Sequence, residues 1–516
     1  MTIAMKFLSR SHAILNALLL LLFVSLNTGC AATTKNKSKP SAIAALRTRI
    51  DAILSDSALS RSQAGIKIAS LRTGEVLYER NSQLLFHPAS NQKLLTSSAA
   101  FVLLGPEFNF KTLLACDSSA INNDVINGDL ALIGRGNPDL STGDLSTLAQ
   151  ILAQRGVREI TGNIICDDFY FDDVRWGSGW MWDDDPSWLF SRFSALTVND
   201  NAVHVSVSPA RSIGQPAQVM INAPSPFVEF INASITVARR QQSDSLGLPR
   251  LSIDRRWQEN QNVYVISGAI GMDEAPREEK MNVLDPALLA GHVLRDVLLL
   301  NGITVRGGIY RGFGPSKMYV LAEHQAPLLP VLTNLNKISD NLTAELVLKT
   351  IGAERFGRPG TAEKGARAMR AFLQNSGVDT LALNAADGSG VSRYNLVTPA
   401  GLADLLKAMW LREDLRPAFV STLPIAGVDG TLSSRMRGTV AQGVLRAKTG
   451  SLSGVSTLSG YTITAQGEEL VFSMMMQHYL VRDSAVRGVQ DRIGAEITAF
   501  RRNSRPVATS TSSRAN

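Results

Sequence analysis

Ser90-Asn91-Gln92-Lys93, Ser339-Asp340-Asn341 and Lys448-Thr449-Gly450 are three short stretches scattered over a chain of 516 residues, and reading them together decides the fold. Ser90 opens the only S-x-x-K, K-T-G occurs once, and S-x-N occurs once outside the N-terminal leader. Each stretch alone is weak, because a chain of this length yields roughly one S-x-x-K by chance. The set gains weight because each member stands where its chemistry needs it.

His87-Pro88-Ala89-Ser90 leads into a helical run to Leu104, and Gly105-Pro106 ends it. Pro suits a helix start and Gly-Pro a stop. Leu94, Leu95, Ala99, Ala100, Phe101 and Leu103 leave no polar face, so the helix is expected to be buried. Ser90 then sits at its N-terminus, where the helix field favours developing negative charge. Lys93, three residues on, shares its face. A serine hydroxyl is a poor nucleophile without a base in contact. A lysine can be that base if desolvation or a neighbouring cation lowers its pKa. In isolation, a Ser N-cap followed by a snorkelling Lys would look the same.

Ser339-Asp340-Asn341 lies between the helical runs Val331 to Asn336 and Leu342 to Ile351. It reads either as a helix N-cap or as a catalytic turn. In the second reading Ser339 relays a proton to the leaving amine. Asn341 hydrogen-bonds Lys93 and the substrate amide, and Asp340 points away as support. Gly443 to Leu452 reads as a strand carrying Lys448, Thr449, Gly450 and Ser451. Alternation places Lys448 and Gly450 on one face and Thr449 on the other. A cation and a hydroxyl there suit a substrate carboxylate, and Gly permits close backbone approach. The N–H groups of Ser451 and Ser90 are the candidate oxyanion hole, where one donor is typically worth about 10² to 10³ in rate.

Both ends of the chain carry hairpins. Ile66 and Ile68 alternate with polar residues, Arg72-Thr73-Gly74 turns, and Val76 and Tyr78 alternate again. Near the C-terminus, Leu458 to Thr464 and Leu470 to Met476 flank a turn at Gln466-Gly467. Ile43, Leu46, Ile50 and Ile53, and then Val486, Val489, Ile493, Ile497 and Phe500, recur at helical spacing. The expected class is mixed α/β, of α+β type: one antiparallel sheet built from both termini and flanked by helices. Residues 42–106 and 281–503 are assigned to this discontinuous catalytic domain. Residues 107–280, rich in short strands and Gly, Asn and Asp turns, are read as an insertion of one or two accessory domains with a helix near Leu145 to Gly156.

Lys6 and Arg10 precede an apolar run, Ala13 to Leu26, and then Thr28-Gly29-Cys30-Ala31-Ala32, which reads as a secretory signal over residues 1–32. Gly29-Cys30 also resembles a lipobox, with Asn27 where that motif prefers Leu. Acylation of Cys30, with membrane anchoring, and ordinary cleavage near Ala31 or Ala32 both stay open. Either way the protein is expected to be exported, to the periplasm. Residues 33–41 read as a Lys-rich tether and 504–516 as a disordered tail. Cys116 and Cys166 each end an apolar strand-like run, which favours buried free thiols slightly over a disulfide. No Cys/His cluster has metal spacing, so no metal or other cofactor is expected. The formal charge of +7 lacks the basic–aromatic interleaving of nucleic-acid binding and would suit an anionic polymer.

The three stretches make up the S-x-x-K, S-D-N and K-T-G set of penicillin-recognising serine enzymes. The chain resembles the class C low-molecular-mass penicillin-binding proteins, the D-alanyl-D-alanine carboxypeptidase/endopeptidases of peptidase family S13. Asp387-Gly388-Ser389-Gly390-Val391-Ser392-Arg393 and Asp429-Gly430-Thr431-Leu432 add to the likeness, as does the long gap between the first two motifs. The resemblance implies a penicillin-binding/serine β-lactamase-like transpeptidase fold and an acyl-enzyme on Ser90. Lys93 would take the proton of Ser90, Ser339 would pass one to the departing amine, and Lys448 and Thr449 would engage the leaving group's carboxylate. Peptidoglycan stem peptides or D-alanyl cross-links would be the substrates and β-lactams the inhibitors. An acidic residue of the insertion, Asp167 or Asp168, would help bind a diaminopimelate side chain. A serine β-lactamase or esterase on the same core, and a non-catalytic wall-binding scaffold, are the alternative readings.

Overall fold

Two hairpins from opposite ends of the chain pair edge to edge. In a computed structural model, which describes residues 41–122, 124–222, 227–240 and 247–502, the N-terminal hairpin is β1 (Gln63–Ser70) and β2 (Val76–Arg80). The C-terminal strands are β3 (Arg446–Leu452), β4 (Val455–Ile463) and β5 (Glu469–Gln477). The sheet order is β2-β1-β5-β4-β3, antiparallel throughout. β1 meets β5 from Gln63 opposite Gln477 to Ser70 opposite Leu470. The leader with Cys30, the tether up to residue 40 and the tail from residue 504 lie outside the described residues.

Helices cover both faces of this sheet. Val471 and Met475 of β5 and Tyr461 of β4 join a core with α2 (Gln92–Leu103), α3 (Leu328–Lys337), α4 (Asn341–Phe356), α5 (Ala362–Asn375) and α6 (Pro399–Leu411). Phe472, Met474 and Met476 point the other way and are also buried. Here α7 (Asp483–Ala499) packs on β4 through a stripe of Val486, Val489, Ile493 and Ile497. Double coverage explains why β5 is apolar on both faces, with the buried Ser473 as its one polar interior residue. Each fully buried aliphatic side chain is worth about 1.5–3 kcal/mol, so these strands fix the sheet's position firmly. The helix Ala42–Leu54 buries Leu46, Ile50 and Leu54 at helical spacing.

The segment between α2 and α3 forms its own layers. A five-stranded sheet runs Ile309–Arg311, Ile164–Asp167, Leu130–Gly134, Asn109–Asp117, Met318–Pro327 in spatial order, and two three-stranded sheets follow from residues 202–282. One contiguous apolar core, from Leu114 to Ala322, links them. The boundary expected at residue 280 therefore falls too early. Helix Pro286–Leu300 packs on Thr142–Gln154, and Met318–Pro327 pairs along its length with Asn109–Asp117, so the inserted layers run to residue 327. Composition missed this because Pro286–Leu300 is as apolar as any catalytic-domain helix. Cys116 and Cys166 lie in that core as free thiols whose pKa values burial raises.

A third apolar cluster joins the two halves. Tyr170, Phe171, Trp180 and Phe193 of the insertion pack on Leu342, Leu346 and Ala353 of α4. Trp180 also donates from Nε1 to Asp387 Oδ2 at 3.0 Å. Since α4 carries Asn341 in its first turn, this contact holds the insertion beside the motif residues.

Candidate active site

Ser90 occupies a 3-10 turn, Ala89–Asn91, immediately ahead of α2, so the α-helix starts two residues later than the sequence suggests. The turn is pinned on both sides. Asn91 Nδ2 donates to the Lys448 carbonyl at 2.9 Å and Thr457 Oγ1 to the Pro88 carbonyl at 2.9 Å, tying the turn to β3 and β4. Ala89 is fully buried with φ of 46°, a conformation few non-glycine residues adopt. Its carbonyl packs against Gly390 so closely that a Cβ there would lie 1.8 Å from the oxygen. The strained turn and the Asp387 to Arg393 loop are thus fitted to each other.

Lys93 is completely buried in the first turn of α2, three residues after Ser90. Its ammonium donates to Ser90 Oγ at 3.1 Å, Asn341 Oδ1 at 2.7 Å and the Ser389 carbonyl at 2.8 Å. Burial lowers its pKa to about 8, against the opposing pull of Asp340, Asp387 and Glu345. The neutral amine that a general base requires is therefore within reach near neutral pH.

Ser339 and Asn341 flank Asp340 at the start of α4, where the capping geometry is compatible with the catalytic-turn reading. Asp340 is the N-cap: its carboxylate accepts from the Thr343 N–H at 2.8 Å and from the Thr343 hydroxyl. Capping leaves Ser339, with φ of 67°, and Asn341 turned toward the site. Asn341 bridges inward to Lys93 and outward, from Nδ2, to the Leu189 carbonyl of the insertion at 2.8 Å.

Lys448 is buried on β3, the edge strand, and donates to Ser339 Oγ at 2.8 Å and to the Thr449 carbonyl at 3.0 Å. Burial and the charge of Lys93 hold its pKa well below the ordinary lysine value. Thr449 Oγ1 donates to Thr431 Oγ1 at 2.7 Å, and Thr449 and Gly450 line the same cleft. A Cβ on Gly450 would lie 2.2 Å from Thr457 Oγ1 and 2.9 Å from both the Pro88 carbonyl and the Ser90 nitrogen. Only glycine lets β3 come this close to the Ser90 backbone.

All eight sequence-selected residues therefore meet in one place. Ser90, Ser339, Asn341, Thr449, Gly450 and Ser451 line a cleft of about 400 Å³, with Lys93 and Lys448 beneath it. Sequence reasoning missed Arg435 and Arg487, which line the same cleft, and Leu189, which the insertion contributes. It also missed Glu345 of α4. This buried carboxylate accepts from the N–H groups of Gly388 and Ser389 at 2.8–3.1 Å and so shapes the loop that supplies a carbonyl to Lys93. Its pKa is raised by burial and by the charge of Asp387.

Asp167 and Asp168 do not line the cleft. Asp168 is buried, accepting from Arg311 Nε at 2.6 Å, Ser194 Oγ at 3.0 Å and Arg175 at 3.1 Å; Asp167 accepts from the N–H groups of Gly314 and Phe169. Both brace the insertion's own loops.

Residues 46–498 match the D-Ala-D-Ala carboxypeptidase 3 (S13) family. The chain belongs to that family. It is 38% identical to a D-alanyl-D-alanine carboxypeptidase of Actinomadura sp. (strain R39), over 88% of this chain and 85% of the relative. It is 29% identical to D-alanyl-D-alanine carboxypeptidase DacB of Haemophilus influenzae, over 82% and 87%. The crystal structure of penicillin-binding protein 4 (DacB) from H. influenzae superposes with a TM-score of 0.76 at 27% identity, covering 87% of this chain and 99% of that one. A second crystal structure of that protein, complexed with a β-lactam, gives a TM-score of 0.70 at 25% identity, covering 87% and 98%. The S13 chain described here is thus a serine hydrolase with the penicillin-binding fold.

Proposed function

We propose that the enzyme releases the terminal residue from peptidoglycan stem peptides ending in D-Ala-D-Ala, through an acyl-enzyme on Ser90. The Ser90–Lys93 contact at 3.1 Å, with Lys93 buried and its pKa lowered to about 8, supports this most directly. Neutral Lys93 takes the hydroxyl proton as Ser90 Oγ attacks the carbonyl between the two D-alanines. The N–H groups of Ser90 and Ser451 hold the developing oxyanion. Ser339, hydrogen-bonded to Lys448, passes a proton to the departing amine, and water then hydrolyses the ester on Ser90.

Lys448, Thr449 and Arg487 bind the free carboxylate of the leaving D-alanine. Lys448 supports this because, among the described residues, its ammonium meets only neutral oxygens. An amine buried without a counter-charge loses basicity, and an anionic ligand beside it restores its charged form. The names of the Actinomadura and H. influenzae relatives, and the β-lactam held by the H. influenzae protein, favour the same substrate and inhibitor. A D-alanyl cross-link presents the same bond and is the second substrate of this reading. The leader implies export, with anchoring through Cys30 as its lipidated form.

For the substrate's side chain the supporting residue shifts from Asp167 or Asp168 to Asp184. Asp184 lies within electrostatic range of Arg393, which donates to the Ser453 carbonyl at 3.0 Å beyond the end of β3. This acid–base pair suits the zwitterionic end of a diaminopimelate.

The test is D-alanine release from a pentapeptide ending in D-Ala-D-Ala, and peptide release from a cross-linked muropeptide, each with and without benzylpenicillin. Penicillin-sensitive D-alanine release supports the reading. Rapid penicillin hydrolysis without D-alanine release would instead establish a β-lactamase.

A further inference from the structure

A second cavity, of about 550 Å³, shares no lining residue with the catalytic cleft. The insertion contributes Arg135, Phe169 and Phe313, and the turn after α4 contributes Arg358 and Pro359. The guanidiniums of Arg135 and Arg358 both stand on the Tyr170 ring, 5.7 and 5.0 Å from its centroid. Neither has an ion-pair partner among the described residues. The carboxylates on the wall are engaged elsewhere: Asp172 with Lys349, Asp173 with Arg311, and Asp167 with the Gly314 and Phe169 N–H groups. Burial and the charge of Arg358 both depress the basicity of Arg135, and the field of Asp167 offsets this only in part.

Two guanidiniums standing on one ring repel, the nearby acids being Asp167 and Glu354, which accepts from the Tyr170 hydroxyl, and a bound anion would relieve the repulsion further. Guanidinium forks also match a carboxylate better than an ammonium does. Beside them, Phe313 stacks on Phe169 with centroids 3.9 Å apart yet stays 74% exposed. An exposed, rigidly stacked aromatic ring presents a flat apolar face to whatever enters.

We propose that this cavity is a second binding site for the wall polymer, taking a carboxylate of a peptidoglycan saccharide–peptide segment between Arg135 and Arg358 while a sugar or hydrocarbon face lies on Phe313. The proposal rests on the reading of peptidoglycan as the substrate. A second hold on one polymer raises the effective concentration of its stems at the cleft.

The full chain is first acylated with benzylpenicillin, so that the cleft is closed, and then titrated calorimetrically with soluble monomeric muropeptide. Arg358→Gln and Phe313→Ala are compared with wild type, and inorganic phosphate is titrated separately. Both replaced side chains are exposed, so folding is not at stake. The expected result is muropeptide binding by the acyl-enzyme, at least about fivefold weaker in each variant, with unchanged penicillin acylation. Absence of binding, or binding unchanged in both variants, overturns the proposal. So does binding of phosphate without muropeptide, which marks a bare anion hole. Failure to acylate at all overturns the catalytic reading on which the proposal rests.

Discussion

Lys448 Nζ and Ser339 Oγ lie 2.8 Å apart, joining the edge strand of the sheet to the turn that opens α4. Lys93 makes the matching link from α2 to Asn341 at 2.7 Å. Two buried lysines thus hold three chain segments around Ser90, Lys93 against Asn341 and Lys448 against Ser339.

The lowered pKa of Lys93 gives a signed pH dependence. Only the neutral amine accepts the Ser90 proton, so the β-lactam acylation rate constant should rise with pH between 7 and 9 and level off above the value of about 8. Lys93→Ala should lose about 10²–10⁴-fold of that rate while retaining the wild-type circular dichroism spectrum. A rate that stays flat across this range excludes Lys93 as the base.

Gly450 tests the closeness of β3 to the Ser90 turn. In Gly450→Ala the new methyl meets two backbone atoms of the Ser90 turn at 2.9 Å, where neither can swing aside as a side chain would. Acylation should fall by about 10²-fold or more through displacement of the oxyanion donors, with little change in melting temperature. Near-normal acylation would show that β3 stands further from Ser90 than described.

How much of this was legible in the sequence follows from the range of each signal. The Ser90, Ser339 and Lys448 stretches carried their chemistry in local motifs, and both hairpins showed in local alternation. Strand Met318–Pro327 was placed with the wrong half because its partner, Asn109–Asp117, lies two hundred residues away. Glu345 gave no signal because its purpose is set by the Gly388 and Ser389 N–H groups, which only the fold brings to it. Asp167 and Asp168 were misassigned because a strand end does not reveal which side of it faces the cleft.

Arg487 should set the preference for a free C-terminus. Its guanidinium is held to Ser451 Oγ at 3.2 Å and faces the cleft. Arg487→Ala should raise KM for a D-Ala-D-Ala peptide about tenfold. KM for the same peptide with an amidated C-terminus should barely change, as should kcat for both. Equal losses on the two substrates would assign Arg487 a structural role.

Glu345→Ala should act through the loop it holds. Removing the acceptor leaves the Gly388 and Ser389 N–H groups unpaired in a buried site, at a cost of about 1–3 kcal/mol. The melting temperature and the acylation rate should fall together, and Glu345→Gln should recover much of the first. Unchanged stability in Glu345→Ala would contradict the described burial.

Ser90 should carry the acyl group. Intact mass spectrometry after exposure to benzylpenicillin, with peptide mapping, tests it most directly. Wild type should gain one penicilloyl adduct on the peptide containing Ser90, and Ser90→Ala, folded as judged by its melting curve, should gain none. An adduct on any other residue, or a labelled Ser90→Ala, would contradict the account.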